Sequence, residues 1–127
     1  GILDADTSPS AVSYFFYTLG NGQRQLRFEL GQQLFLPNPI ALGQWMYLAQ
    51  VCEANVLSAY VDGAKIGERT GCSAGNGTPF GLQIGQNNTQ QPAGNDWFVG
   101  ALDGLRLWTV PLTAAAICET SDRTDCP

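Results

Sequence analysis

The chain has 127 residues, of which 44% are hydrophobic and only 13% are charged, and its formal net charge at pH 7 is −5. This length corresponds to one domain, and the apolar content is too high for a disordered chain. The six lysines and arginines are scattered singly along the sequence, so they form no basic patch that could neutralise nucleic-acid phosphates. We therefore expect no nucleic-acid partner.

The sequence contains no histidine. This excludes an imidazole general base, a histidine metal ligand and a Ser–His or Cys–His nucleophile pair. No apolar run reaches the roughly 18 residues of a membrane-spanning helix, and no basic stretch followed by an apolar one opens the sequence. We expect no membrane span.

Cys52, Cys72, Cys118 and Cys126 form an even set with no CxxC motif. A zinc site would need all four thiolates as ligands, although none of them is arranged in a CxxC pair. Two disulfides are therefore the simpler interpretation, and they imply an oxidising compartment. Three connectivities are possible from sequence alone. The short polar stretch CETSDRTDC favours a Cys118–Cys126 bond, which leaves Cys52 to pair with Cys72.

Two triplets match the acceptor pattern for N-glycosylation. They begin at Asn76 and at Asn87, and Pro79 directly after the first triplet makes it the poorer acceptor. Together with the cysteines, they predict a secreted or cell-surface glycoprotein.

Apolar residues recur with a period of two along most of the chain, which predicts strands. The predicted strands are residues 13–19, 25–30, 33–36, 45–52, 57–61, 65–70, 80–84 and 97–108, the last with a bend. Asp62-Gly63 is a strong hairpin signal, and the resulting three-strand meander brings Cys52 and Cys72 to one corner. Residues 112–117 predict a short helix after Pro111. Short strands separated by turns at this spacing predict an all-β antiparallel sandwich.

Four segments, in this order, resemble the motifs of LamG-like (concanavalin A-like) jelly-roll domains. They are residues 43–51 (GQWMYLAQV), 57–63 (LSAYVDG), 80–85 (FGLQIG) and 98–108 (FVGALDGLRLW), the last followed by Pro-Leu-Thr at 111–113. The resemblance implies a two-sheet jelly-roll sandwich over residues 1–117. The predicted Cys118–Cys126 bond makes residues 118–127 a disulfide-stapled tail.

The resemblance also implies that this sequence lacks the first strands of the family's sandwich. Family members have opening strands ahead of the position matched by Gly1, and those strands pair with the one that here begins at Leu102 and ends at Trp108. The sequence has no counterpart to them, so we expect an N-terminally incomplete sandwich: either this is a fragment of a longer chain, or another segment completes the sandwich. An open sheet edge is a pairing and aggregation site. We expect another polypeptide segment to cover the edge at residues 102–108.

Concanavalin A-like glycoside hydrolases place two carboxylates on one strand, as in an E-x-D-x-E run, and retaining hydrolysis needs them about 5–5.5 Å apart. The sequence has no such run. Asp62 and Asp103 lie in turn motifs, where a short carboxylate caps backbone amides, and Glu53 and Glu68 are expected to be solvated. We therefore expect no enzymatic activity.

Some LamG-like and pentraxin-like domains carry calcium, which needs six to eight oxygen ligands. The amide-rich loop around Asn88 and Asp96 supplies the candidates, with Asn87 and Asn95 beside them and Asp4 and Asp6 as further carboxylates. The loop itself carries only one carboxylate, which is few for a calcium site. Calcium is therefore possible, but no cofactor is expected.

A carbohydrate site needs an exposed aromatic ring flanked by amides and carboxylates. Trp97 is the best candidate, because alternation sets it opposite Phe98, which the resemblance assigns to the core. The flanking candidates are Asn95, Asp96, Gln83 and Gln86. Trp45 and Trp108 are predicted to be core residues.

Three functions are consistent with these features. The leading one is a non-catalytic extracellular module that binds glycans or matrix proteins. The alternatives are an architectural domain of a larger extracellular assembly or filament, with its open edge completed by another segment, and an accessory domain of a glycoside hydrolase.

Overall fold

The computed structural model describes residues 3–5, 12–18, 24–35, 41, 43–73, 83–85 and 98–126. These residues form two antiparallel sheets and one short helix. The strands are β1 (Leu3–Ala5), β2 (Val12–Thr18), β3 (Arg24–Leu30), β4 (Gln33–Phe35), β5 (Leu48–Glu53), β6 (Val56–Val61), β7 (Ala64–Thr70) and β8 (Gln83–Ile84), and the helix is α1 (Ala114–Thr120). One sheet has the order β4-β3-β2-β1-β8 and the other β5-β6-β7. The predicted all-β sandwich is confirmed.

The two longest strands of the five-stranded sheet, β2 and β3, form a hairpin. Its register sets Phe16 opposite Leu26 and Tyr14 opposite Phe28. Leu26 and Phe28 are fully buried, whereas Arg27, between them, belongs to the other face because successive side chains in a strand alternate. The alternation read from the sequence therefore places the correct face toward the core. The three-residue β1 was missed, because it is too short to show a period.

In the three-stranded sheet β6 is central, and Asp62-Gly63 makes the β6–β7 turn, as predicted. The register shifts between Ala59 and Tyr60. Both residues are buried although they are neighbours. Alternation sends Ala59 into the core between the sheets, while Tyr60 lines the side toward α1, where Ala114 and Cys118 lie beside it.

The core lies between the two sheets. Leu26, Phe28 and Ala59 are its fully buried centre, and the partly buried residues packed around them are Leu34, Leu48, Val61, Ile66 and Phe98. Gly67 of β7 faces Leu34 of β4 so closely that an added Cβ would lie 3.5 Å from a Leu34 methyl carbon. Small and large residues therefore interdigitate where the sheets approach.

Two disulfides connect these elements, Cys52 to Cys72 and Cys118 to Cys126. The first joins β5 to the residues that follow β7, at the corner that the predicted meander brings together. The second closes the chain after α1. Both are the pairs predicted from the sequence.

The helix differs from its predicted bounds of 112–117, since α1 begins at Ala114 and ends at Thr120. Its start is set by Thr113, whose Oγ1 accepts a hydrogen bond from the Ala116 N–H at 3.2 Å. A threonine in this N-cap position satisfies one of the amides that the first helical turn leaves unpaired. Ile117 and Cys118 are the buried residues of the helix.

Two predicted core tryptophans are instead exposed. Trp45 is 72% exposed, because β6 ends at Val61 opposite Leu48 and the last hydrogen bonds between the two segments join Asp62 to Tyr47. The predicted strand 45–52 accordingly begins only at Leu48.

Trp108 is 56% exposed, and the predicted strand over 97–108 is wrong for residues 98–108, which carry no strand. A strand forms where a neighbouring strand satisfies its backbone groups. None of the described strands pairs with these residues, so residues 102–108 are not the sheet edge that the sequence predicted.

Candidate functional site

Most of the predicted glycan site lies outside the described residues. This holds for Trp97, Asp96, Asn95 and Gln86, for the predicted glycosylation sites Asn76 and Asn87, and for the calcium candidate Asn88. Gln83 is described as part of β8, where its backbone is in register with Asp4 of β1 at one end of the five-stranded sheet. The glycan and calcium sites therefore stay predictions. Within the described part of the chain, no group of three or more His, Cys, Asp or Glu residues could hold a metal ion.

The carboxylates of Asp62 and Asp103 are engaged by backbone amides. Asp62 Oδ1 accepts from the Tyr47 N–H at 2.8 Å, and Asp103 Oδ1 accepts from the Gly104 N–H at 2.7 Å. Asp103 caps the next amide in its own turn, as the sequence predicts, whereas Asp62 binds an amide 15 residues away, at the residue before β5. Glu53 is exposed, and Glu68 is exposed but forms an ion pair with Lys65.

The Asp62-Gly63 turn is the point where the C-terminal segment docks on the sandwich. The Asp62 carbonyl accepts a hydrogen bond from Arg123 Nη1 at 3.1 Å. The Tyr47 and Thr120 hydroxyls are 2.8 Å apart, so the residues before β5 are tied to the same segment. The Cys118–Cys126 disulfide closes the loop that carries Arg123.

A cleft of about 270 Å³ lies beside this junction. Tyr60 and Ala114 supply apolar lining, and Lys65, Arg123 and Asp125 the charged groups. Each cation already has a carboxylate partner. The hydrogen bond to Asp125 raises the pKa of Arg123, and the same bond lowers the pKa of the Asp125 carboxyl. Because its charges are internally paired and exposed to water, the cleft has little electrostatic pull on a charged ligand.

The close approach at Gly63 gives a test of this docking. Gly63 has φ +75°, and an added Cβ would be 3.0 Å from Cys118 Cα and in hard contact with Ser121 Oγ. We expect Gly63→Ala to lower the free energy of unfolding by about 2–4 kcal/mol, from a left-handed backbone plus overpacking. Gly43→Ala is the control, because Gly43 has φ +72° with nothing within 4 Å, and we expect a loss of about 1–2 kcal/mol there. Urea denaturation measures both, and equal losses would contradict the docking contact.

The most unusual surface is the stretch of residues 99–110, here called the 99–110 segment. Its large apolar side chains are all exposed: Val99 95%, Leu102 44%, Leu105 52%, Leu107 68%, Trp108 56% and Val110 63%. Arg106 in their midst is also exposed and forms no ion pair with any residue that the structure describes.

The 99–110 segment is held at both ends. The Phe98 N–H donates to the Gly85 carbonyl at 2.8 Å, and the Phe98 ring packs against the core cluster. At the other end the chain passes through half-buried Leu112 into α1. A large patch of exposed apolar residues marks an interaction site. The sequence predicted that another segment covers residues 102–108, but it did not predict that these residues carry no strand.

The chain is similar to known proteins over nearly its whole length. A laminin G-type family model, described as the concanavalin A-like lectin/glucanases superfamily, matches residues 2–118. The chain belongs to this superfamily. The match agrees with the two antiparallel sheets and with the motifs read from the sequence.

Among solved structures, this concanavalin A-like domain is similar to residues 221–444 of an S-layer domain-containing protein from Clostridium thermocellum ATCC 27405, with a TM-score of 0.52 and 15% sequence identity. The alignment covers 91% of this chain and 58% of that one. Similarity at this identity shows a shared fold. No curated protein matches the sequence significantly.

Two further observations concern the surroundings of the domain. In the described part of the chain no helix is long and apolar enough to cross a membrane. Both disulfides are formed, which indicates an oxidising compartment because cytosolic thiols are kept reduced.

Proposed function

We propose that this concanavalin A-like domain is a non-catalytic extracellular module that recognises another polypeptide through the 99–110 segment. The observation that carries the proposal is the exposure of Leu105, Leu107 and Trp108 between two anchored ends. Interfaces bury aromatic and arginine side chains at their centre, and the segment presents Trp108 and Arg106 together among exposed apolar residues. A partner that covers them removes their apolar surface from water at roughly 25 cal/mol per Å².

The non-catalytic part of the proposal rests on the carboxylates. Asp62 and Asp103 accept hydrogen bonds from backbone amides, and the two cations of the cleft each form an ion pair, Lys65 with Glu68 and Arg123 with Asp125. The extracellular part rests on the two disulfides together with the superfamily match.

Glycan recognition beside Trp97 is the second candidate. It is favoured by the superfamily, whose description names lectins and glucanases, and by the Asn- and Gln-rich sequence around that tryptophan. It is assigned to Trp97 and its flanking residues and not to Leu105, Leu107 and Trp108, so the two functions can be tested by separate substitutions.

Photo-crosslinking tests the proposal. A photoreactive p-benzoylphenylalanine replaces Leu107 in the protein produced by its own organism, and a matched variant carries it at exposed Glu53. We expect irradiation to give a covalent adduct with a polypeptide at position 107 and none at position 53, because only the 99–110 segment is proposed to be covered.

An absence of polypeptide adducts at position 107 would contradict the proposal. Selective binding on a glycan array that Leu107→Asp leaves unchanged and Trp97→Ala abolishes would support the glycan function instead. Leu107→Asp is suitable for this purpose because Leu107 is 68% exposed, so the substitution is expected to leave the fold intact.

A further inference from the structure

We propose that the cleft beside the Asp62-Gly63 turn binds one neutral, polyhydroxylated ring, the chemistry of a single hexose unit. The cleft is lined by residues of β6, β7, α1 and the C-terminal segment. None of these residues belongs to the 99–110 segment or to the candidate site at Trp97. The inference therefore goes beyond the proposed function and does not depend on it.

The pairing of charges at the cleft favours a neutral ligand. Arg123 forms an ion pair with Asp125, and Lys65 forms one with Glu68, so each cation has a neighbouring carboxylate. An anionic ligand would have to displace one of these carboxylates, and a cationic ligand would meet Arg123 beside the carboxylate of Asp125. A neutral polar ligand binds without separating either pair.

The Arg123–Asp125 pair presents donors and acceptors side by side. Arg123 Nε donates to Asp125 Oδ1 at 2.8 Å and Nη2 donates to Oδ2, while Nη1 donates to the Asp62 carbonyl at 3.1 Å. These three hydrogen bonds fix the guanidinium. Since a guanidinium has five N–H donors, two are left for a ligand, next to carboxylate oxygens that can accept further bonds. Two neighbouring ring hydroxyls match this arrangement, because each hydroxyl both donates and accepts.

The Tyr60 hydroxyl is a second, independent feature of the cleft. Tyr60 lines the cleft and is only 6% exposed. Its hydroxyl forms no hydrogen bond with any residue in the described part of the chain. A buried tyrosine hydroxyl usually has a hydrogen-bond partner, and a ligand hydroxyl in the cleft supplies one.

The apolar lining and the size of the cleft fit one ring. Ala64, Ala114 and the ring of Tyr60 offer apolar surface to the C–H groups of the ligand, and small-molecule sites combine such surface with a few polar groups. The cleft volume of about 270 Å³ lies just below the roughly 300–1,000 Å³ of pockets for drug-sized ligands. A single six-membered ring therefore fits better than an oligosaccharide.

NMR titration of the 127-residue chain with matched sugars tests the inference. The neutral probes are D-glucose and D-galactose, and D-glucuronate and D-galacturonate are the same rings with a carboxylate. We expect a neutral probe to shift the amide signals of Ala64, Lys65 and Ala114 with a dissociation constant of the order of 1–10 mM, because the ligand is small. Its acid should bind about fivefold more weakly or worse, since it must compete with Asp125 and Glu68.

Two results of this titration would overturn the inference. If neither neutral probe shifts these signals at about 100 mM, well above the expected dissociation constant, the cleft is not a sugar site. If an acid binds more tightly than its neutral partner, the ligand class is wrong.

Tyr60→Phe removes only the hydroxyl. We expect the dissociation constant for the neutral probe to rise about 3–10-fold, the loss of one hydrogen bond, with the urea midpoint nearly unchanged because no described residue bonds to this hydroxyl. Ser58→Ala is the control: Ser58 lies two residues away on the same face of β6 and is not among the residues that line the cleft. We expect Ser58→Ala to leave binding unchanged. Equal affinities of Tyr60→Phe and Ser58→Ala would overturn the hydroxyl contact.

Asp125→Asn tests the role of charge pairing in selectivity. Without the Asp125 carboxylate, Arg123 is open to an anion, so we expect the preference for the neutral probe over its acid to fall or reverse. Arg123→Lys keeps the charge but loses the planar fork, and we expect about 3–10-fold weaker binding of the neutral probe. A preference that Asp125→Asn leaves unchanged would overturn the role of the pair.

Two further substitutions separate this site from the other proposed surfaces. Leu107→Asp and Trp97→Ala are both expected to leave binding of the neutral probe unchanged, because neither residue lines the cleft. Binding that Trp97→Ala abolishes and Tyr60→Phe leaves intact would overturn the cleft site. A cleft without sugar binding leaves the proposed recognition of a polypeptide by the 99–110 segment untouched.

Discussion

We expect Phe28→Ala to lower the free energy of unfolding by about 3–5 kcal/mol. Phe28 is fully buried and lies at the centre of the core between the two sheets, beside Leu26 and Ala59. Its removal loses the transfer free energy of the ring and leaves a cavity, because the strands around it are held by their hydrogen-bond ladders. Chemical denaturation followed by circular dichroism measures the change.

Phe35→Ala is the matched control. Phe35 lies on the adjacent strand β4, but its register partner is Arg27 and its side chain is 44% exposed. Because part of the ring is already in water, we expect its loss to cost less than half as much as that of Phe28. A Phe28→Ala variant no less stable than Phe35→Ala would contradict the position of the core.

Loss of the Cys52–Cys72 disulfide is expected to lower the free energy of unfolding by about 3 kcal/mol, because the crosslink restricts the unfolded chain. The bond spans 20 residues and encloses the β5-β6-β7 meander. The variant Cys52→Ala/Cys72→Ala, compared with the wild type in urea, measures the effect. The loss should appear in the cooperative transition, since the bond joins elements of one sheet.

Cys118→Ala/Cys126→Ala serves as the comparison. This bond spans only 8 residues, so the same entropic argument gives a smaller loss. It should also release the segment with Arg123 from the Asp62 carbonyl. A larger loss from this pair than from Cys52–Cys72 would contradict the entropic account and indicate that docking of the C-terminal segment dominates.

Local sequence patterns were sufficient for much of the fold. In β3 the alternation of Leu26 and Phe28 with Arg27 and Glu29 identifies both the strand and its buried face, since only period-two spacing puts the first two on one side. The Asp62-Gly63 dipeptide identifies the β6–β7 turn because both residues adopt positive φ, a conformation that such dipeptides favour.

The candidate site was predicted only in part. The motif ending at Trp108 led to the expectation that another segment covers residues 102–108; these residues are exposed, and the covering segment stays a prediction. Yet the same motif predicted a strand, and the described residues carry none there. Apolar side chains alone do not make a strand when no neighbouring strand supplies hydrogen bonds. Trp45 shows the same effect, since its neighbour β6 ends before reaching it.

The sequence by itself determined the fold class, most strands and the turn role of Asp103, because each depends on spacing within one element or on contacts between residues that are near in sequence. It also favoured the observed cysteine pairs, through the short stretch from Cys118 to Cys126 and the meander that brings Cys52 to Cys72. Only the tertiary structure decided which apolar residues are buried. Leu26 and Leu107 are equally hydrophobic in sequence, but one lies between two sheets and the other has no sheet against it. Burial depends on what distant parts of the chain place beside a residue, and that is a property of the assembled fold.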